Sequence, residues 1–174
     1  MLFGKFSPAG RLPVTFYAST SDLPAFDSYA MANRTYRYFK GKPLFPFGHG
    51  LSYTRFQYGA LKSNSASLSP TGKLRVTLPV KNIGTMDGDE VVQLYVRRIG
   101  SAGADPIRSL AAFRRVSIPK GKSATITLDL PATSLRRWDI SKQNYTVDPG
   151  KFEVEVGASS SDIRQTLELA VSAK

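Results

Sequence analysis

Cysteine is absent from this 174-residue chain, which excludes disulfides and thiolate metal sites. There is one histidine, and neither an H-E-x-x-H string nor zinc-ligand spacing occurs. No apolar run approaches the roughly 18–20 residues needed to span a bilayer, so no membrane partner is expected. The opening MLFGKFSPAGRLPV lacks the apolar h-region of a signal peptide. Acidic residues are few: 13 Asp plus Glu stand against 24 Lys plus Arg, a formal charge of +11. That excess invites a polyanion, but a nucleic-acid footprint clusters on one face. Here the basic residues are spread along the chain, with short doublets at Arg97-Arg98, Arg114-Arg115 and Arg136-Arg137. Scattered charge reads as a soluble basic surface, and nucleic acid is not expected as a partner.

What is present is a globular composition, 41% hydrophobic and 21% charged, long enough for one sizeable core with an appendage. The segment Arg34–Phe56, RTYRYFKGKPLFPFGHGLSYTRF, concentrates aromatic rings, the histidine and three glycines without a helical period. It is too aromatic for a flexible linker and too rich in Gly and Pro for a regular element, so an ordered strap clamped by its rings is expected. Upstream, Leu12–Tyr17 is a strand candidate, confined to an edge because Pro13 cannot donate to a ladder. Residues 21–33 read as loop, and residues 1–60 as a whole cannot close a core by themselves. They are expected to fold back on the rest, to self-associate, or to be mobile.

From about Lys73 the pattern becomes strict alternation. Leu74, Val76, Leu78 and Val80 share one face, and the pattern recurs in Val92-Leu94-Val96, Ile126-Leu128-Leu130, Phe152-Val154-Val156 and Leu167-Leu169-Val171. Weaker strands fit Phe113–Ile118, Leu135–Trp138 and Tyr145–Val147. Turn signals separate them at Asn82-Ile-Gly, Asp87-Gly88, Pro119-Lys-Gly121 and Asp148-Pro-Gly150. Seven or eight short one-sided strands predict an all-β, immunoglobulin-like antiparallel sandwich with an irregular, aromatic-rich N-terminal extension. The polar stretch Ser63–Thr71 places the domain boundary at 62/63, giving an incomplete unit over 1–62 and a sandwich over 63–174.

Chemistry is harder to find. His49 lies near Ser52, but a nucleophile–base pair needs an orienting group and an oxyanion site, and there is no G-x-S-x-G elbow. Asp87, Asp89 and Glu90 resemble a piece of a calcium loop without its closing ligands, and read more simply as a tight turn. Glycoside hydrolysis usually takes two facing carboxyl groups. Glu153, Glu155 and Asp129 fall on the outward parity of their strands, and no acid sits in an apolar stretch that would raise its pKa. No catalytic residue, metal or cofactor is therefore assigned. The strap rings Tyr36, Tyr38, Phe39, Phe45, Phe47 and Tyr53, with His49, could pack between domains or stack on sugar rings.

Those same residues carry a resemblance. The strap, with its PFGHGLSYT core, closely resembles the segment joining the second and third domains of glycoside hydrolase family 3 enzymes, the β-glucosidases and β-xylosidases. FGKFSPAGRLPVTFY resembles the last strand of that family's α/β sandwich domain. DGDEVVQLYV, IRSLAAFRRVSIPKGKSATITLDL, RRWD and YTVDPGKFEVEVGASSSDIR resemble its fibronectin type III-like C-terminal domain. The resemblance implies hydrolysis of terminal β-linked glucose or xylose with retention in the parent enzyme. Its nucleophile is an aspartate of an N-terminal barrel, and its acid/base comes from upstream of Met1, so neither is carried over. His49 departs from a common tyrosine. The implied partners are the remaining domains of such an enzyme or a second copy paired through residues 1–60, with a polysaccharide as a further candidate. A truncated product, a deliberately cut piece, or a separate gene encoding only the tail is expected.

Overall fold

Leucine and β-branched residues on alternate positions from Lys73 onward need a common face to bury, and pairing strands supply it. The computed structural model describes residues 3–100 and 105–173. Among these, the strands in chain order are β1 Phe56–Tyr58, β2 Lys62–Ser63, β3 Ser67–Leu68, β4 Lys73–Asn82, β5 Gly88–Arg98, β6 Ser109–Ile118, β7 Ser123–Pro131, β8 Arg137–Asp139, β9 Asn144–Thr146, β10 Gly150–Ser159 and β11 Asp162–Val171. One α-helical turn, α1, covers Thr35–Tyr38, and 3₁₀ turns cover Thr20–Asp22 and Ala132–Leu135.

Two sheets face each other. In the first, β4 pairs with β7 from Lys73↔Pro131 to Lys81↔Ser123, and β1 and β2 share its other edge. The second runs β3-β11-β10-β5-β6. β8 and β9 form a separate two-stranded ribbon. The inward parity makes the core: Leu74, Val76, Leu78 and Val80 from one sheet meet Val92, Leu94, Val154, Val156 and Leu169 from the other. The all-β sandwich expected from the alternation is what the chain forms. Its pairing is antiparallel except where β3 runs parallel to β11, at Ser67↔Ala170 and Leu68↔Val171.

Three sequence expectations are corrected. Leu12–Tyr17 is not a strand: it makes a single bridge, Phe16 to Phe45, plus isolated bonds from Leu12 N–H to His49 O (2.8 Å) and from Gly48 N–H to Leu12 O (2.8 Å). Pro13 has no donor, and the partner chain is an irregular strap, so no ladder propagates. Leu135–Trp138 is not one strand either, because the 3₁₀ turn ends on Leu135, which is buried, and β8 begins after it. The third correction, at Glu155, concerns the strap.

Asn82 ties the strap's end to the sandwich. Its fully buried side chain accepts from Thr54 Oγ1 (2.6 Å) and Gly84 N–H (3.0 Å), and donates to Met86 O and Ile118 O (2.9 Å each). The amide's donors and acceptor are thus all engaged, which is what a buried polar group requires.

Candidate functional site

A sheet that is half-wet by its alternation becomes buried on both faces where another segment lies over it. Here the strap lies across the outer face of β10, β5 and β6. Tyr36 stacks on Phe47 (4.3 Å between centroids) and meets Tyr95 edge-on (6.0 Å). The Tyr36 hydroxyl accepts from Leu110 N–H (3.0 Å), and Ser160 N–H donates to Phe47 O (3.0 Å). Ile107 N–H donates to Arg37 O (2.6 Å). Gly48 allows the closest approach. Its φ is +81°, and a Cβ there would lie 2.1 Å from Gln93 Oε1. Gln93 Nε2 donates to Gly48 O (3.2 Å) and Ala158 O (2.6 Å), while its Oε1 accepts from Tyr95 Oη (2.5 Å).

Two carboxylates are enclosed, one of them at this interface. Glu155, expected on a wet face, is 4% exposed. Arg108 Nη2 donates to its Oε1 (3.2 Å), Arg108 Nε lies 3.0 Å from its Oε2, and Arg97 Nε lies 3.8 Å from Oε1. Burial pushes the Glu155 carboxyl up; Arg108 and Arg97 pull it down by less. The alternation places Glu155 outward correctly, but the outward face is covered. Glu90 is enclosed as well, accepting from Arg11 Nη2 (2.7 Å) and from Val91 N–H (2.7 Å). Burial also pushes up the phenols of Tyr95 and Tyr58, and the Tyr58 hydroxyl has no hydrogen-bond partner among the described residues.

The seven residues singled out in the strap do not converge. Tyr36 and Phe47 sit against the sheet, and Phe39 is buried edge-on to Tyr17 (4.8 Å). Tyr38 is half-buried, with the Arg37 guanidinium 5.7 Å from its ring centre. Phe45 meets Phe16 edge-on (6.2 Å), and His49 stacks on Phe45 (5.3 Å). Tyr53 is exposed, its N–H donating to Ser7 Oγ (3.0 Å). Ser52 Oγ is engaged by Ser7 Oγ (2.9 Å).

The acids of the suspected calcium loop go to separate partners. Asp87 Oδ1 accepts from Lys120 N–H (2.7 Å), Asp89 pairs with Arg115 and Ser117, and Glu90 with Arg11. Other acids also face cations rather than each other. Glu153 pairs with Arg97, Asp129 with Lys73 and Arg75, Asp148 with Arg137, and Asp162 with Arg164. Sequence reading missed Gln93, Tyr95, Arg108 and Arg11. A Gln and a Tyr on the outward parity of β5, where charged residues would be at home in water, were the available signal.

The first 53 residues present much apolar surface. Phe3, Phe26, Tyr29, Leu44 and Leu51 are all more than half exposed. Against this geometry, residues 1–53 match the glycosyl hydrolase family 3 C-terminal domain, and residues 90–160 match the fibronectin type III-like domain. The chain belongs to glycoside hydrolase family 3. Within that family it corresponds to the C-terminal portion. It is 44% identical over 163 residues to a xylan 1,4-β-xylosidase of Xylanibacter ruminicola, covering 93% of this chain and 18% of that one. The β-glucosidase of Kluyveromyces marxianus superposes with a TM-score of 0.88 at 29% identity, covering 99% of this chain and 22% of that one. β-Glucosidase D2-BGL of Chaetomella raphigera superposes at 0.85 and 36% identity, over 98% and 27% respectively. The family 3 chain thus spans about a fifth of the length of the curated relatives it matches.

Proposed function

We propose that this chain is the non-catalytic C-terminal module of an enzyme hydrolysing terminal β-D-glucosides or β-D-xylosides, with its sandwich as a scaffold and residues 1–62 as the docking element. The carrying observation is where the exposed large apolar side chains fall. Among the described residues, twelve of the eighteen exposed large apolar side chains, Phe3, Phe6, Phe16, Phe26, Tyr29 and Leu44 among them, lie in the first 53 residues, against six in the longer remainder of the chain. Contiguous apolar surface beyond a few hundred Å² marks an interaction face. The occupant is the remainder of the parent enzyme, in keeping with the family match at residues 1–53.

The acid pairing supports the absence of hydrolytic chemistry in the module itself. A retaining site sets two carboxyl groups about 5–5.5 Å apart across the sugar, whereas Glu155 and Glu90 are each enclosed with an arginine. The division at 62/63 is part of the same reading, with β1 reaching back from the strap to join β4.

The test is an aryl β-glucoside and aryl β-xyloside assay, with size-exclusion mixing against the barrel and α/β portion of a relative. The chain alone is expected to be inert and to form a complex on mixing. Turnover by the purified chain that is lost on neutralising its acids would overturn the non-catalytic assignment. Failure to bind the barrel portion would overturn the docking assignment.

A further inference from the structure

An open groove of about 710 Å³ runs between α1 of the strap and the β8–β9 ribbon. That volume lies in the range of roughly 300–1,000 Å³ usual for ligand sites. One wall carries Arg37 and Tyr38; the other carries Arg136, Trp138 and Tyr145. Trp138 and Tyr145 are directly opposed in the ribbon register and meet edge-on at 5.2 Å, leaving the indole 51% exposed. An exposed aromatic face is electron-rich and attracts the weakly positive C–H bonds of a sugar ring.

The charges in the groove are unevenly satisfied. Arg137 is held by Asp148, and Arg98 lies between Asp105 and Asp148. Arg37 and Arg136 form no ion pair among the described residues, and each lies by an aromatic ring instead, 5.7 Å from Tyr38 and 4.8 Å from Tyr145. A guanidinium packed on a ring keeps its N–H edge free and holds a fixed fork suited to a carboxylate. The wall with Arg37 is also held in an uncommon backbone conformation. Thr35, a β-branched residue, has φ +53°, stabilised by its N–H donating to Tyr17 Oη (2.9 Å). Such outliers persist where surrounding contacts enforce them, and they cluster at ligand sites.

We propose that this groove binds a uronate-bearing oligosaccharide, with Trp138 and Tyr145 stacking on the sugar rings and Arg37 and Arg136 taking the carboxylates. Arg98 and Arg137 in the groove are already matched by Asp105 and Asp148, which leaves two arginines for isolated carboxylates and too few cations for a phosphate on every residue of a nucleic acid. Arg37 and Tyr38 belong to the 1–62 segment, but none of the exposed side chains Phe3, Phe6, Phe16, Phe26, Tyr29 and Leu44 lines the groove.

Trp138 is the chain's single tryptophan, so its fluorescence reports on the groove alone. The whole chain is titrated with trigalacturonic acid, its methyl ester and a short oligothymidylate. Trigalacturonate is expected to shift the emission saturably, and the ester to bind about ten- to a hundredfold more weakly, as loss of charge-assisted hydrogen bonds implies. Arg136→Gln and Arg37→Gln are each expected to weaken the acid about tenfold with an unchanged melting temperature, while Arg114→Gln on β6 leaves binding as it was. No saturable shift up to about 10 mM, a limit set by millimolar affinity being the weakest useful binding, would overturn the proposal. So would equal affinity for the ester, full binding by Arg136→Gln, or tighter binding of oligothymidylate.

Discussion

Replacing Gly48 with alanine should release the strap from the sheet while leaving the sandwich folded. Two costs arise together. Alanine at a φ of +81° costs about 1 kcal/mol relative to glycine. Its Cβ would also fall 2.1 Å from Gln93 Oε1, so Gln93 must swing away from Gly48 O and Ala158 O and from the hydroxyl of Tyr95. Three hydrogen bonds at about 1 kcal/mol each, partly regained through water, leave a combined cost of about 3 kcal/mol. At 1.4 kcal/mol per factor of ten, that is about two orders of magnitude in the opening equilibrium of the strap. The amides of Ser160 and Ile107 report this opening directly, because they donate to Phe47 O and Arg37 O in the strap. Native-state hydrogen exchange should show both losing about a hundredfold in protection, while amides of the β4–β7 pairing change little. Adding Gln93→Ala should remove the clash, so the double variant should be less destabilised than the sum of the singles. Protection at Ser160 and Ile107 unchanged within about threefold would refute the reasoning, since the stated costs would then be absent.

Asn82→Asp keeps the shape but sets a carboxylate oxygen against Met86 O and Ile118 O in place of the two N–H bonds. A loss of about 3–5 kcal/mol is expected in urea denaturation, the range for an uncompensated buried charge; a change under about 1 kcal/mol would contradict the buried network. Glu155 has a folded pKa raised by burial, so the folded state holds its proton more tightly than the unfolded chain. Its contribution to stability is therefore greatest below the ordinary glutamate value of about 4.3 and falls as pH rises from there to the raised value. The stability difference between wild type and Glu155→Gln should decline with pH over that window, and a rise would show the arginines dominating burial. Asp129 is the opposite case. The hydrogen bonds from Arg75 and Lys73 pull its carboxyl down to about 2, so whatever it contributes is present above the ordinary aspartate value and is lost as pH falls through about 2. Because the pair is exposed, an NMR titration in high salt should move that midpoint up, and a salt-insensitive midpoint would argue against a screened surface pair.

The alternation in Leu74–Val80, Val92–Val96 and Phe152–Val156 was sufficient to specify the sandwich, because period-2 burial is a local property of an extended chain. The strap's composition likewise marked it as an interface segment before any contact was known. What could not be read was which of its rings face inward. Tyr36 and Phe47 pack on the sheet while Phe45 and Tyr53 stay exposed, and the difference depends on where Gly48 meets Gln93, 45 residues away. Glu155 shows the same limit. Its parity correctly placed it on the outer face, yet whether that face is wet depends on a segment more than a hundred residues earlier in the chain. The Trp138–Tyr145 groove arises only because the short ribbon folds beside α1. Sequence by itself determined the sandwich, its turns and the family. Tertiary structure alone decided which polar residues are buried and which aromatic faces remain open, since long-range packing, unlike periodicity, leaves little trace in neighbouring residues.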